Sequence, residues 1–295
     1  MSINLPSHYV QQYASNIELL LQQKDSRLKG LVMNGSHVGE QASPVDQIGA
    51  IEMQEPAGRF APIGRVDASV DRRWVLPNDY DLPQLVHSFD ELRLLQDPKS
   101  SFVANAVAAA NRRFDNTIID AFFADAKTGK TGSTTTSFLS ANQVAVTMGA
   151  AAATGLNVKK LREAKKILMS YDIDLNSEEI YCAITAKQHD DLLAEAQVVS
   201  TDFNEKPVLS EGKVIRFLGI NFIHTELLDV DTNSYRRLPV WVKSGMHLGQ
   251  WGSMSTSIDK RADLSGQPWQ AYVKMTIGAT RLNEEKVIEI KCSES

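Results

Sequence analysis

The segment KSSFVANAVAAANRRFDNTIIDAFFADAKTG, which follows Asp97-Pro98, limits the possible folds more than any other part of the chain. Val103, Ala106, Ala110, Phe114, Ile118 and Ala121 recur at three- and four-residue steps. That spacing places one buried stripe along an α-helix. Pro98 suits the first helical turn, where its missing N–H is not needed. Gly129 suits a position just past the end. A helix of about 25 residues, rising 1.5 Å per residue, is about 40 Å long, which is long for a globular domain.

The residues ahead of this helix are unlike it. In the first 45, Ile17, Leu19, Leu20 and Leu21 predict one short helix, followed by turn formers with little periodicity. An arm this polar buries little by itself and orders only against something else. From 48 to 86, short β-prone pieces (IGAIEM, RVDASV, RRWVLP) alternate with Pro and Gly. This is the pattern of a long hairpin or extended loop, and its few apolar residues predict that it projects. Its charges are mixed: Arg59, Arg65, Arg72 and Arg73 against Glu52, Glu55, Asp67 and Asp71. Two readings stay open here. The loop is solvated, or it docks on a neighbouring subunit through salt bridges made by these eight residues.

After the long helix, KTGKTGSTTTSFLSANQVAVTMGAAAATG reads as a loop with one short strand. Asn157 is a good N-cap for a second helix whose apolar side is Val158, Leu161, Ala164 and Leu168. IYCAIT reads as a buried strand, and Thr185 with Gln188 has the spacing of a capping box that opens a third helix. The last hundred residues are mainly strands. Gly219 interrupts VIRFLGINFIH as a turn or bulge, and Lys243-Ser244-Gly245 marks another turn. Trp269, Ala271, Val273, Met275 and Ile277 alternate with polar neighbours, as a strand with one buried face requires. A turn near Asn283-Glu284-Glu285 then leads to KVIEIKC as the second member of a C-terminal pair. The class is α+β.

Several kinds of chemistry find no support. The chain has 295 residues, 43% hydrophobic and 23% charged, enough for one large domain or two modest ones. No apolar run reaches the roughly 18 residues of a membrane helix, and the N-terminus does not resemble a secretory signal. The net charge of −5, with no Lys/Arg cluster, argues against dedicated nucleic-acid binding. Cys182 and Cys292 sit in strand-like runs without a CxxC pair, so both are expected to be reduced thiols in a reducing cytosol. Ala124-Asp-Ala-Lys-Thr-Gly129-Lys130-Thr131 fits a loose P-loop pattern, but a helix precedes it and STTTSF follows. A phosphate loop needs a strand before it and a helix after it. The six histidines form no HExxH, and His189-Asp190-Asp191 points in different directions on a helix. No GxSxG or dinucleotide fingerprint occurs. No catalytic, metal or cofactor residue is assigned, and an enzyme is not expected.

One resemblance organises these pieces. WVLPNDYDLPQLVHSFDELRLLQDPKSSFVANAVAAANRRFDNTIIDAFFADAKTG resembles a block of the major capsid proteins of tailed bacteriophages and phage-like gene transfer particles. Asp79-Tyr80-Asp81, Asp97-Pro98 and Asp115…Ile118-Ile119-Asp120 fall in the order seen there. ITAKQHDDLLAEAQVVSTDFN, GKVIRFLGINFIHTELL and VWVKSGMHLG…IGATRLNEEKVIEIKC are similar to later blocks, so the resemblance spans about 74 to 292. It implies the Hong Kong-type capsid fold. The N-terminal arm is then 1–45 and the extended loop 46–86. The peripheral domain is 87–179 and 251–295, with a spine helix at about 98–126, and the axial domain is 180–250. It also implies self-assembly through hexamers and pentamers into an icosahedral virion shell in the host cytoplasm. Scaffolding and portal proteins are expected partners, the enclosed double-stranded DNA is not bound sequence-specifically, and no fused scaffolding segment or membrane partner is expected. The alternatives are an encapsulin-like compartment with protein cargo, a P-loop nucleotide hydrolase, and a tail or neck component forming rings or tubes.

Overall fold

The computed structural model describes residues 22–294 except 56–57, 59–63, 87–98, 175–176, 196–197 and 199–213. The expected helix around Ile17–Leu21, Pro98 and Arg59 lie outside the described residues. In chain order the elements are β1 (Met33–Ser36), β2 (Ala42–Ile48), β3 (Val70–Val75), β4 (Asn78–Val86), α1 (Lys99–Phe123), β5 (Ala126–Thr128), β6 (Thr134–Thr136) and β7 (Gln143–Val144). They continue with α2 (Val158–Ser170), β8 (Ile180–Ile184), α3 (Ala186–Ala194), β9 (Arg216–Phe217), β10 (Ile220–His224), β11 (Arg236–Val242), β12 (Met246–Gln250), β13 (Ser255–Lys260), β14 (Trp269–Arg281) and β15 (Val287–Cys292).

Among the described residues the strands form three sheets. The first is built on the 13-residue β14, flanked by β4 on one side and by β12 and β13 on the other, with β1 added in parallel to β12. The expected alternation holds: Ala271, Val273, Met275 and Ile277 are buried, while Lys274 faces solvent. The helix α1 packs on this apolar side through a stripe in which Ala106, Ala110, Phe114, Ile118 and Ala121 are buried. A second sheet runs β7-β15-β11-β8-β10-β9. Cys182, Ile184, Val240, Val242, Ile288 and Ile290 fill its core, and α2 lies against β15. The third sheet, β2-β3-β5-β6, carries the hairpin.

Several local signals act as the residues dictate. The Asn157 side chain accepts the Lys160 amide at 2.9 Å and caps α2, whose Val158, Leu161, Ala164 and Leu168 are buried. Gln188 accepts the Thr185 amide at 3.1 Å, closing the capping box at α3. Leu218 and Gly219 take φ of 53° and 82° and turn β9 into β10, the conformation that a tight two-residue hairpin demands. Both cysteines are free and buried at strand positions.

Other expectations need correction. The last helical residue of α1 is Phe123, and Gly129 (φ 83°) sits in the turn between β5 and β6, where left-handed backbone is required. Arg281 finishes the helix instead, donating to the carbonyls of Phe122 at 2.7 Å and Ala124 at 3.0 Å. The last two strands are not a pair: β14 belongs to the first sheet and β15 to the second, so the residues between them turn the chain from one sheet into the other. Within the segment 46–86, β4 pairs with β14 from Asn78↔Ile277 to Val86↔Trp269. β12 lies in the first sheet, while β7 and β15 join the second.

Candidate assembly surface

The hairpin is built from two strands of unequal character. Between β2 and β3 the register runs Ile48↔Val70, Gln47↔Asp71, Asp46↔Arg72 and Val45↔Arg73. Its charges mostly satisfy each other within the chain. Arg72 grips Asp46 through two bonds, at 2.6 and 3.0 Å, and the bonded carboxylate holds its guanidinium above the usual range. Arg65 pairs with Asp67 at 2.7 Å in full solvent. Asp71 accepts the Gly129 amide at 3.2 Å, and Glu52 and Glu55 are exposed. The residues that stand out are apolar. Ile48, Ile51, Met53 and Val70 are 74%, 61%, 103% and 71% exposed, with Val66 also in water. Ile48 and Val70 are cross-strand partners, so these side chains extend from the hairpin shaft towards its tip. Contiguous exposed apolar side chains are a common feature of interaction sites.

The root of the hairpin is tied down hard. Arg73 is buried in its own chain. Its Nε donates to the Leu282 carbonyl at 3.0 Å, and its Nη1 stands 3.4 Å from Glu284. Gln47 of β2 donates to the same carbonyl. Glu284 also meets Arg281 at 3.3 Å, the residue that caps α1. Burial raises the Glu284 carboxyl above its ordinary range despite the two guanidinium groups, and burial also lowers Arg281. Trp74 donates to the Gly129 carbonyl at 2.7 Å. A Cβ at Gly278 would lie 2.1 Å from the Leu76 carbonyl oxygen, so β14 presses directly on the β3–β4 link.

The approach to the hairpin is anchored on α1. Asp115, fully buried, accepts the Arg27 amide at 3.0 Å, the Leu28 amide at 3.1 Å and the Ser26 hydroxyl at 2.5 Å. Arg112 donates to Gln22 at 2.7 Å and Asn111 to the Lys24 carbonyl at 2.9 Å. The Lys29 ammonium lies 4.2 Å above the Phe114 ring, and Trp241 donates to the Leu31 carbonyl at 3.0 Å. From there the chain enters β1. Sequence reasoning missed Asp115, whose partners are 87 and 88 residues away. Its signal in the sequence was its place in the block that resembles phage capsid proteins.

Opposite the anchored side, α1, β4 and β14 enclose an apolar groove of about 170 Å³ lined by Tyr80, Leu82, Ala106, Ala109, Val273 and Met275. Lys130 lies in the turn between β5 and β6. Among the described residues there is no group of three or more His, Cys, Asp or Glu placed to hold a metal. Among them, too, no helix is long and apolar enough to cross a membrane.

A helix laid on a long-stranded sheet, a second sheet beside it and a projecting hairpin define the fold of tailed-phage shell subunits. The capsid of cyanophage P-SCSP1u superposes with a TM-score of 0.75 at 14% identity, over 97% of this chain and 93% of that one. Cyanophage Pam1 capsid gives 0.72 at 11%, over 99% of each chain, and a native gene transfer agent capsid gives 0.69 at 12%, over 96% and 94%. The chain belongs to the phage capsid protein family, whose sequence model matches residues 5–294. No curated protein matches it.

Proposed function

We propose that this protein is the major subunit of an icosahedral phage head, assembling as hexamers and pentamers around double-stranded DNA without enzymatic activity. The observation that carries this reading is the hairpin between β2 and β3, tied at its root and exposing Ile48, Ile51, Met53 and Val70. A monomer gains nothing by holding Ile48, Ile51, Met53 and Val70 in water. A second copy offers them the groove between α1 and β4, and repeated contacts of this kind close a shell. Arg59, Arg65, Arg72, Glu52, Glu55, Asp67 and Asp71 form the polar rim of that contact, where ion pairs set register more than affinity. Within the subunit, residues 1–45 serve as the arm, the first sheet with α1 as the peripheral part, and the second sheet with α2 and α3 as the axial part. The net charge of −5 suits a container that must release its DNA. Scaffolding and portal proteins are the expected partners during assembly in the host cytoplasm.

The test is electron microscopy of the chain expressed with and without its scaffold. Closed spheres are expected, and M53D together with I48D abolishes them while the subunit stays folded. Tubes, rings or unchanged spheres from that variant overturn the reading. Protein cargo in place of DNA in heads isolated from cells identifies an encapsulin-like compartment instead.

A further inference from the structure

The seam between β1 and β12 holds a pair of histidines that shell geometry alone does not explain. Nε2 of His37 and Nε2 of His247 are 2.8 Å apart. Their ring centroids are 5.1 Å apart, and the Trp251 ring packs on His37 at 5.3 Å. A contact that short requires one nitrogen to donate and the other to accept, so at least one ring is neutral. The strands leave no slack around the pair. A Cβ at Gly35 would lie 2.6 Å from the His247 ring, and one at Gly249 would lie 2.7 Å from the His37 ring. The seam is otherwise thin: β1 has four residues, none of them buried.

We infer that His37 and His247 form an acid-sensitive latch, which fastens the strand leading into the hairpin when neutral and releases it when both rings are protonated. Two lysines lie on turns packed against β1, Lys29 just ahead of it and Lys243 between β11 and β12, and the shift of His247 comes from burial and His37. From β1 come Asn34, Gly35 and Ser36. Across β12 on β14 stand Thr280, opposite His247, and Gly278, opposite Gly249. The next residue of β14, Arg281, turns to Glu284. The hairpin strand β2, which also packs against β12, brings Asp46, paired with Arg72. Among the described residues, His37 is the one charge acting on His247.

Burial lowers both rings, and the neighbouring His37 lowers His247 further, to about 4. A base depressed in the folded state binds fewer protons there than in the opened state. The latch is therefore fully closed above the ordinary histidine value of 6.5 and weakens as pH falls towards about 4. Opening it detaches residues 33–37 from β12. The groups bonded directly to Asp115 upstream include no histidine. The hairpin's first strand then keeps its own root and its packing against β12.

Hydrogen exchange on the full-length chain tests this, with rates corrected for the intrinsic effect of pH. The amides of residues 33–37, among them His37 bonded to the Gln250 carbonyl at 2.9 Å, should lose protection between pH 6.5 and about 4. Those of Leu238–Val242 in β11 should keep it. In the H37Q/H247Q variant the seam should show no pH dependence. Protection at residues 33–37 that persists at pH 4 in the natural sequence overturns the latch, and so does an unchanged acid response in the double variant. The natural-sequence arm stands alone if the variant fails to fold.

Discussion

The Asp115 carboxylate receives the Leu28 amide at 3.1 Å inside the core, joining the middle of the long helix to a turn 87 residues earlier in the chain. That bond, with its companions from Arg27 and Ser26, makes the start of the described chain part of the body. Asp115→Ala strands two backbone amides and a hydroxyl. A cost of about 3 kcal/mol is expected, since buried donors left unpaired cost about 1–3 kcal/mol each and some recover water. Urea denaturation of the subunit measures it, with early proteolytic cleavage near residues 22–31 as a second sign.

Arg281 has two duties, capping α1 and facing Glu284 in a site closed to water. Arg281→Met removes both and leaves a buried carboxylate with only Arg73 beside it. A loss of about 3–5 kcal/mol is expected, the range for breaking a buried ion pair from one side. The added E284Q change should recover part of it, because the uncompensated charge is then gone. Additive losses in the double variant contradict this account.

The thiols should be silent. Burial pushes Cys182 far up and Cys292 up to about 12, so the reactive thiolate is scarce at neutral pH. A thiol reagent at pH 8 should label neither cysteine in the folded protein and both after denaturation. Rapid labelling of Cys292 would mean that β15 opens.

Lys130→Ala should leave both particle assembly and nucleotide binding as they are in the natural sequence. The residue sits in a turn between two strands, where no set of helix-terminal amides gathers around a phosphate. Measurable ATP affinity that disappears in this variant contradicts the structure.

Periodic features were readable before any coordinates. The stripe Ala106–Ala110–Phe114–Ile118, the Asn157 cap and the alternation of β14 are local, and each follows from side-chain spacing alone. Partnership between strands was not readable. Nothing in VIEIKC says that β15 pairs with β11 and not with β14, because both pairings bury the same residues. Arg73 looked like its neighbours Arg65 and Arg72, yet its place opposite Glu284 depends on the corner at 282–286, far along the chain. Charge drew attention to the hairpin, whereas exposure, which sequence does not report, identified Ile48, Met53 and Val70 as its distinctive part.

The five residues from Leu282 to Lys286 connect one sheet to the other, and they also receive the hairpin through Arg73 and Gln47 and the end of α1 through Arg281. Four structural members converge on a single joint. Any torque on the hairpin therefore reaches the helix and both sheets at the same point.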